Sequence, residues 1–117
     1  MIYALLIHSA RPEGDPLPAA DERALLSRHR ALQKEAGARA ELLAVARLDG
    51  RDKARTVRVQ GATAVVTDGP YMETKEWLVG FYLIECADET IAAARARQIC
   101  PADGSVEIRP VNWQRTT

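Results

Sequence analysis

Few residues in this chain have chemistry to offer, and one stretch gathers several of them: Asp68-Gly69-Pro70-Tyr71-Met72-Glu73-Thr74-Lys75-Glu76-Trp77, set between the apolar runs 62–67 and 79–86. It reads as a loop between two strands. Gly69 can take dihedrals closed to other residues, while Pro70 fixes its own φ and biases Gly69 away from the helical region. An aspartate in a turn usually accepts from the amide two residues on, but here that residue is proline, which has no N–H. The Asp68 carboxylate must therefore reach the amides of Tyr71 or Met72, or stay free. Two readings follow. Asp68 caps a short helical turn over residues 73–78, or it is a carboxylate aimed from a rigid lip. In the second case Asp68 is an acid or base, and Gly69, Pro70, Tyr71, Glu73 and Lys75 surround a ligand, with Tyr71 or Lys75 supporting its charge.

The other candidates are weaker. His29 lies on or beside the buried stripe of a helix, where an imidazole ordinarily sits at the core edge and donates to a backbone carbonyl. His8 ends an apolar strand and reads as structural, and Asp49 and Asp52 belong to a solvated turn. Ser105 and Thr74 have no base that the sequence makes visible. Cys86 and Cys100 form no C-x-x-C pair, and a helix between them would hold them roughly 15 to 20 Å apart. They are expected to be thiols. Neither a metal site nor a cofactor is expected from so few histidines and unpaired cysteines.

The elements that must position these residues follow from pattern. Residues 2–8 are apolar at nearly every position, which places this strand centrally with both faces covered. After a proline-rich loop a helix runs from about Asp21 to Ala36, with Leu25, His29, Leu32 and Ala36 on one face and Gly37 at its end. Residues 40–48 make a second strand. Residues 56–60 and 63–67 alternate β-formers with polar residues across Gly61-Ala62, a hairpin. Residues 79–86 make another central strand, with Phe81 and Leu83 on one side and Tyr82 and Ile84 on the other. Asp88 caps a helix over about 89–100 on which Arg95 and Arg97 are expected to face solvent, and residues 105–109 make the last strand. Trp77 reads as a core or interface anchor.

With 117 residues, 47% of them hydrophobic, the chain predicts a single domain, residues 1–117, with a thin core. Sixteen basic and sixteen acidic residues cancel, which removes the broad positive field that nucleic-acid binding uses. No nucleic-acid partner is expected. No run approaches a membrane span and no leader is visible, so no membrane role and a cytoplasmic location are expected.

The order strand, helix, strand, hairpin, strand, helix, strand predicts an α+β fold of ferredoxin-like plan with an inserted β-hairpin and both helices on one face. The second face is then left over. Burying one such side chain is worth about 1.5 to 3 kcal/mol, against a total stability of about 5 to 15 kcal/mol, so a homodimer through the sheet face is expected.

Residues 68–76, the strand Gly80-Phe81-Tyr82-Leu83-Ile84-Glu85 and the end Gly104-Ser105-Val106-Glu107-Ile108-Arg109-Pro110-Val111 resemble the DGPF-domain proteins of the YCII-related family. Tyr71 stands for the usual Phe, and Val79 where a second Gly is common. The resemblance implies a dimeric α/β-barrel in which two sheets pack face to face. It also implies pairing of a helix histidine with an aspartate near the cleft, here His29 and Asp68. Such proteins are often encoded near alternative sigma factors, which implies a regulatory link. Two functions of different class result: a dimer binding a small molecule near the Asp68-Gly69-Pro70 loop, and a small-molecule enzyme using acid–base chemistry at Asp68 with His29.

Overall fold

Pro18 sets the start of the first helix, because its ring fixes a helix-compatible φ and it has no amide to leave unsatisfied. In the computed structural model, which describes residues 1–12, 15–72 and 74–115, the chain runs β1 (Ile2–Ser9), α1 (Ala19–Ala38), β2 (Leu42–Arg47), a 3-10 turn (Arg51–Lys53), β3 (Arg55–Gln60), β4 (Thr63–Asp68), β5 (Trp77–Glu85), α2 (Glu89–Ile99) and β6 (Gly104–Pro110). Thus α1 begins two residues before the expected Asp21. It also outlasts Gly37: Ala40, with φ 57°, takes the left-handed position beyond the helix end. The amides of Ala40 and Glu41 close the end onto Gly37 O and Ala36 O. Asp88 caps α2 as expected, its carboxylate accepting from the Ile91 amide at 3.1 Å.

Four strands form one antiparallel sheet in the order β2-β5-β1-β6, and β3 pairs with β4 in a separate two-stranded sheet. The fold is α+β. Tyr3, Leu5 and Ile7 of β1 and Tyr82 and Ile84 of β5 meet Leu32 and Ala36 of α1 and Ala92, Ala96 and Ile99 of α2 in one core. The stripe on α1 is borne out, and so is the split of β5, since Tyr82 and Ile84 are buried while Phe81 and Leu83 are half-buried on the other side.

Within this chain the helices cover one face of the central strands, as expected, and the second face is the one for which a cover from outside the monomer is expected. Both helices lie on the Tyr82 side. Ile2, Ala4 and Leu6 pair with Glu85, Leu83 and Phe81 on the opposite side, which among the described residues carries no second layer of helix or strand. The hairpin adds to the spread of the molecule: nearly all of β3 and β4 is exposed, with Val57, Val59 and Val66 each more than 60% accessible. The radius of gyration is 16.1 Å, where a compact chain of this length gives about 13 Å.

Arg95, expected in solvent, is the residue that departs from the sequence pattern. Only 8% of it is accessible. Its Nη1 donates to Glu35 at 2.9 Å and its Nη2 to Glu41 at 3.2 Å, tying α2 to the end of α1 and the approach to β2. Arg97 is exposed, as expected. Cys86 and Cys100 are free thiols.

Candidate functional site

Asp68 is the last residue of β4 and stands directly opposite Arg55 in the hairpin register. Among the described residues its carboxylate caps no backbone amide. It pairs with Arg55 Nε at 3.0 Å, with 90% of its side chain accessible. Among the described residues no helical turn follows the loop either, since β5 already begins at Trp77. What holds the loop is backbone. Gly69, at φ +97°, donates its amide to Ala54 O at 2.8 Å and accepts Thr56 Oγ1 at 2.8 Å, and Arg58 donates to Tyr71 O at 2.7 Å. Pro70 is half-buried, Tyr71 and Lys75 are exposed, and Glu73 lies outside the described residues. At its far end the loop is tied to the body, where Ser105 Oγ donates to Glu76 at 2.8 Å and Trp77 Nε1 donates to Arg11 O at 3.1 Å.

These contacts separate shape from charge. A surface ion pair contributes about 0 to 1 kcal/mol, so Asp68→Asn and Asp68→Ala should both stay within about 1 kcal/mol of the parent in denaturant unfolding. Gly69→Ala puts a Cβ on a left-handed backbone and should cost more, about 1 to 3 kcal/mol. An Asp68→Ala variant as damaged as Gly69→Ala would restore a structural role to the carboxylate.

His29 lies half-buried on α1 and faces β5. Its Nδ1 is 2.8 Å from Tyr82 Oη, its ring stacks on the tyrosine at 5.7 Å between centroids and 18° between planes, and Gln33, one turn on, donates to the same hydroxyl at 3.0 Å. The bland expectation of a carbonyl partner is thus replaced by a phenol. Burial lowers the imidazole pKa, and the nearby cations Arg28 and Arg47 lower it further, so the ring is neutral at pH 7. Burial raises the Tyr82 phenol, which stays protonated. His29 and Asp68 have separate partners, and no hydrogen bond or ion pair joins them among the described residues.

Arg47 is one of the two cations whose charge reaches His29. It stands opposite Gly80 in the β2–β5 register, and Val45 stands opposite Tyr82. Arg47 and Tyr82 are therefore diagonal neighbours on the helix-side face, a relation that places Cβ atoms roughly 7 to 8 Å apart. Gly80 admits no side chain there, because a Cβ would fall 2.6 Å from Ala46 O. A cleft of about 460 Å³ opens at this end of the sheet, lined by Arg47, Leu48, Asp49, Gly50, Trp77 and Val79. The Arg51 guanidinium sits over the Trp77 ring, 5.5 Å from its centroid, and Asp49 Oδ1 accepts the Gly50 amide at 2.7 Å. A second cleft of about 460 Å³, between Ile2, Leu43, Glu85 and the segment 111–114, lies at the other end on the uncovered face.

The family model described as YCII-related domain matches residues 1–113. The chain belongs to the YCII-related family. An uncharacterised protein of Rhizobium meliloti (strain 1021) is 34% identical over 114 residues, covering 95% of this chain and 92% of that one. This YCII-related chain therefore gives its site through geometry. Arg47, Gln33 and Tyr82 escaped the sequence reading, because only the pairing of β2 with β5 and the docking of α1 bring them together. Among the described residues no cluster of three or more histidine, cysteine or acidic side chains could hold a metal, and no helix is long and apolar enough to cross a membrane.

Proposed function

We propose that this YCII-related chain is a homodimer that binds a small molecule in the cleft at the root of the Asp68-Gly69-Pro70 loop, where β2 ends and β5 begins. The observation that carries this is the cleft itself, about 460 Å³ with an arginine and a tryptophan on its walls, a volume within the range of small-molecule sites. The ferredoxin-like half-barrel reading is supported by the strand order β2-β5-β1-β6 with both helices on one face. The dimer is supported by the half-buried apolar residues of the opposite face, to which a partner sheet is the natural cover. The cleft between Ile2, Leu43 and Trp113 lies on that face, and a partner would seal it.

The enzymatic alternative, with Asp68 and His29 exchanging a proton, asks for a second chain or a moved hairpin to join them, since each has its own partner here. Small-molecule binding asks for neither. A screen of small aromatic fragments followed by backbone amide shifts should give hits that map to Arg47–Gly50 and Trp77–Val79. Hits confined to Trp113 and its neighbours would remove this reading.

A further inference from the structure

The uncovered face of the sheet is not uniform, and its pattern follows from the strand register. Two cross-strand rows fill its centre, Ala46-Phe81-Leu6-Glu107 and Ala44-Leu83-Ala4-Arg109. Both rows are apolar over β2, β5 and β1. The edge strand β6 breaks the pattern, since Val106 and Ile108 turn toward the core and leave Glu107 and Arg109 on the open side. These two side chains are exposed, and at 3.9 Å they hold one another only loosely. The whole chain leaves 8268 Å² accessible, where a compact monomer of 12.9 kDa leaves about 6,300 Å². Part of the excess belongs to the hairpin, yet it is well above the roughly 800 Å² that each partner gives to a standard interface.

A second copy can cover this face in two aligned ways. A twofold axis along the strands lays β6 over the partner's β2, so that Glu107 and Arg109 sit on the partner's Ala46 and the partner's Ala44 with no opposite charge. An axis across the strands, passing between the two rows, lays each strand over its counterpart and exchanges the rows. Leu6 then meets the partner's Ala4, and Phe81 the partner's Leu83. Shape permits both arrangements, but charge separates them: in the second, Glu107 faces the partner's Arg109 at the rim, and the twofold makes that contact twice. We propose the second arrangement, in which the face is self-complementary about an axis across its strands and Glu107 and Arg109 set the register of the two copies. The inference rests on the proposed dimer and adds its orientation. The same axis carries the partner's His8 over Ile2, so the groove between Ile2, Leu43, Glu85 and Trp113 is complete only in the pair.

Glu107→Arg and Arg109→Glu test it, singly, together and mixed. Each alone sets like charges across the axis twice and should weaken its own dimer at least about tenfold, whereas the double variant should regain the affinity of the parent. Each single change also sets like charges side by side on β6, a cost that stays with the chain whatever it assembles with. Mixing the two single variants takes that cost out of the comparison, because one chain brings two bases to the rim and the other two acids. At physiological salt, where charges more than about 8 Å apart are screened, the mixed dimer should be favoured at least about tenfold over the statistical proportion, read by native mass spectrometry after exchange. Statistical mixing with a dimeric parent would overturn the orientation and leave the dimer standing. A monomeric parent would overturn both.

Discussion

Arg95→Ala should lower stability by about 3 kcal/mol, the lower end of what removing one partner from a buried ion pair costs. The side chain is only 10% accessible and spans two carboxylates, of which Glu41 has only 14% of its side chain accessible. Truncation leaves Glu41 desolvated without its cation, and a space beside Ala92 and Ala96. Arg97→Ala, two residues away and exposed, should stay within about 0.5 kcal/mol. Arg95→Met fills the space without restoring the charge, so it should recover only part of the loss, and adding Glu41→Gln should recover more. The same network should show in the acid limb. The hydrogen bond and charge of Arg95 hold the Glu35 carboxyl below its ordinary 4.5. Its contribution is therefore complete above that ordinary value and is lost as pH falls through the lower folded one. In Arg95→Ala that part of the acid loss should shrink. Denaturant midpoints between pH 3 and 7 check both statements, and an Arg95→Ala protein within about 0.5 kcal/mol of the parent would show the network to be ornamental.

Arg95 was legible, although its charge hid it. Ala92, Arg95, Ala96 and Ile99 fall at offsets of 3, 1 and 3, which is one helical face, and three of the four are plainly apolar. A charge on that stripe asks for buried partners, and a sequence does not say where they are. The Asp68 pairing was legible too. Pairing Gln60 with Thr63 across the turn and stepping outward reaches Arg55 opposite Asp68, an opposite-charge cross-strand pair. Reading the aspartate against its own loop missed it, because local rules look for amides a few residues away.

Other features depend on distances that a sequence does not carry. The helix face holding Leu25, His29, Leu32 and Ala36 follows from periodicity, yet the partner of His29 lies 53 residues on. Nothing local selects Tyr82 over a carbonyl. The cleft is further still from the sequence, since Arg47 and Trp77 share a wall only through the pairing of β2 with β5. The helix end shows the opposite limit: Gly37 is the residue that propensity favours past the end, but α1 continues through it and Ala40 takes the strained backbone.

Leu83→Glu should convert the proposed dimer to monomer, and this is the largest effect expected from any surface change. Leu83 stands at the middle of the uncovered face with alanines on both sides, Ala4 of β1 and Ala44 of β2. Those small neighbours leave room for a glutamate in the isolated chain, so folding should survive. In a face-to-face dimer the same carboxylate would be taken out of water, at several kcal/mol per ion. A twofold interface carries the change twice, so dissociation should strengthen by well over about a hundredfold. The exposed hairpin supplies the control. Val66→Glu places the same charge on a residue 63% accessible and should leave assembly intact if the sheet is the interface. Light scattering at micromolar concentration should therefore give twice 12.9 kDa for the parent and Val66→Glu, and 12.9 kDa for Leu83→Glu. A monomeric parent would remove the dimer, whereas a dimeric Leu83→Glu beside a monomeric Val66→Glu would move the interface from the sheet to the hairpin.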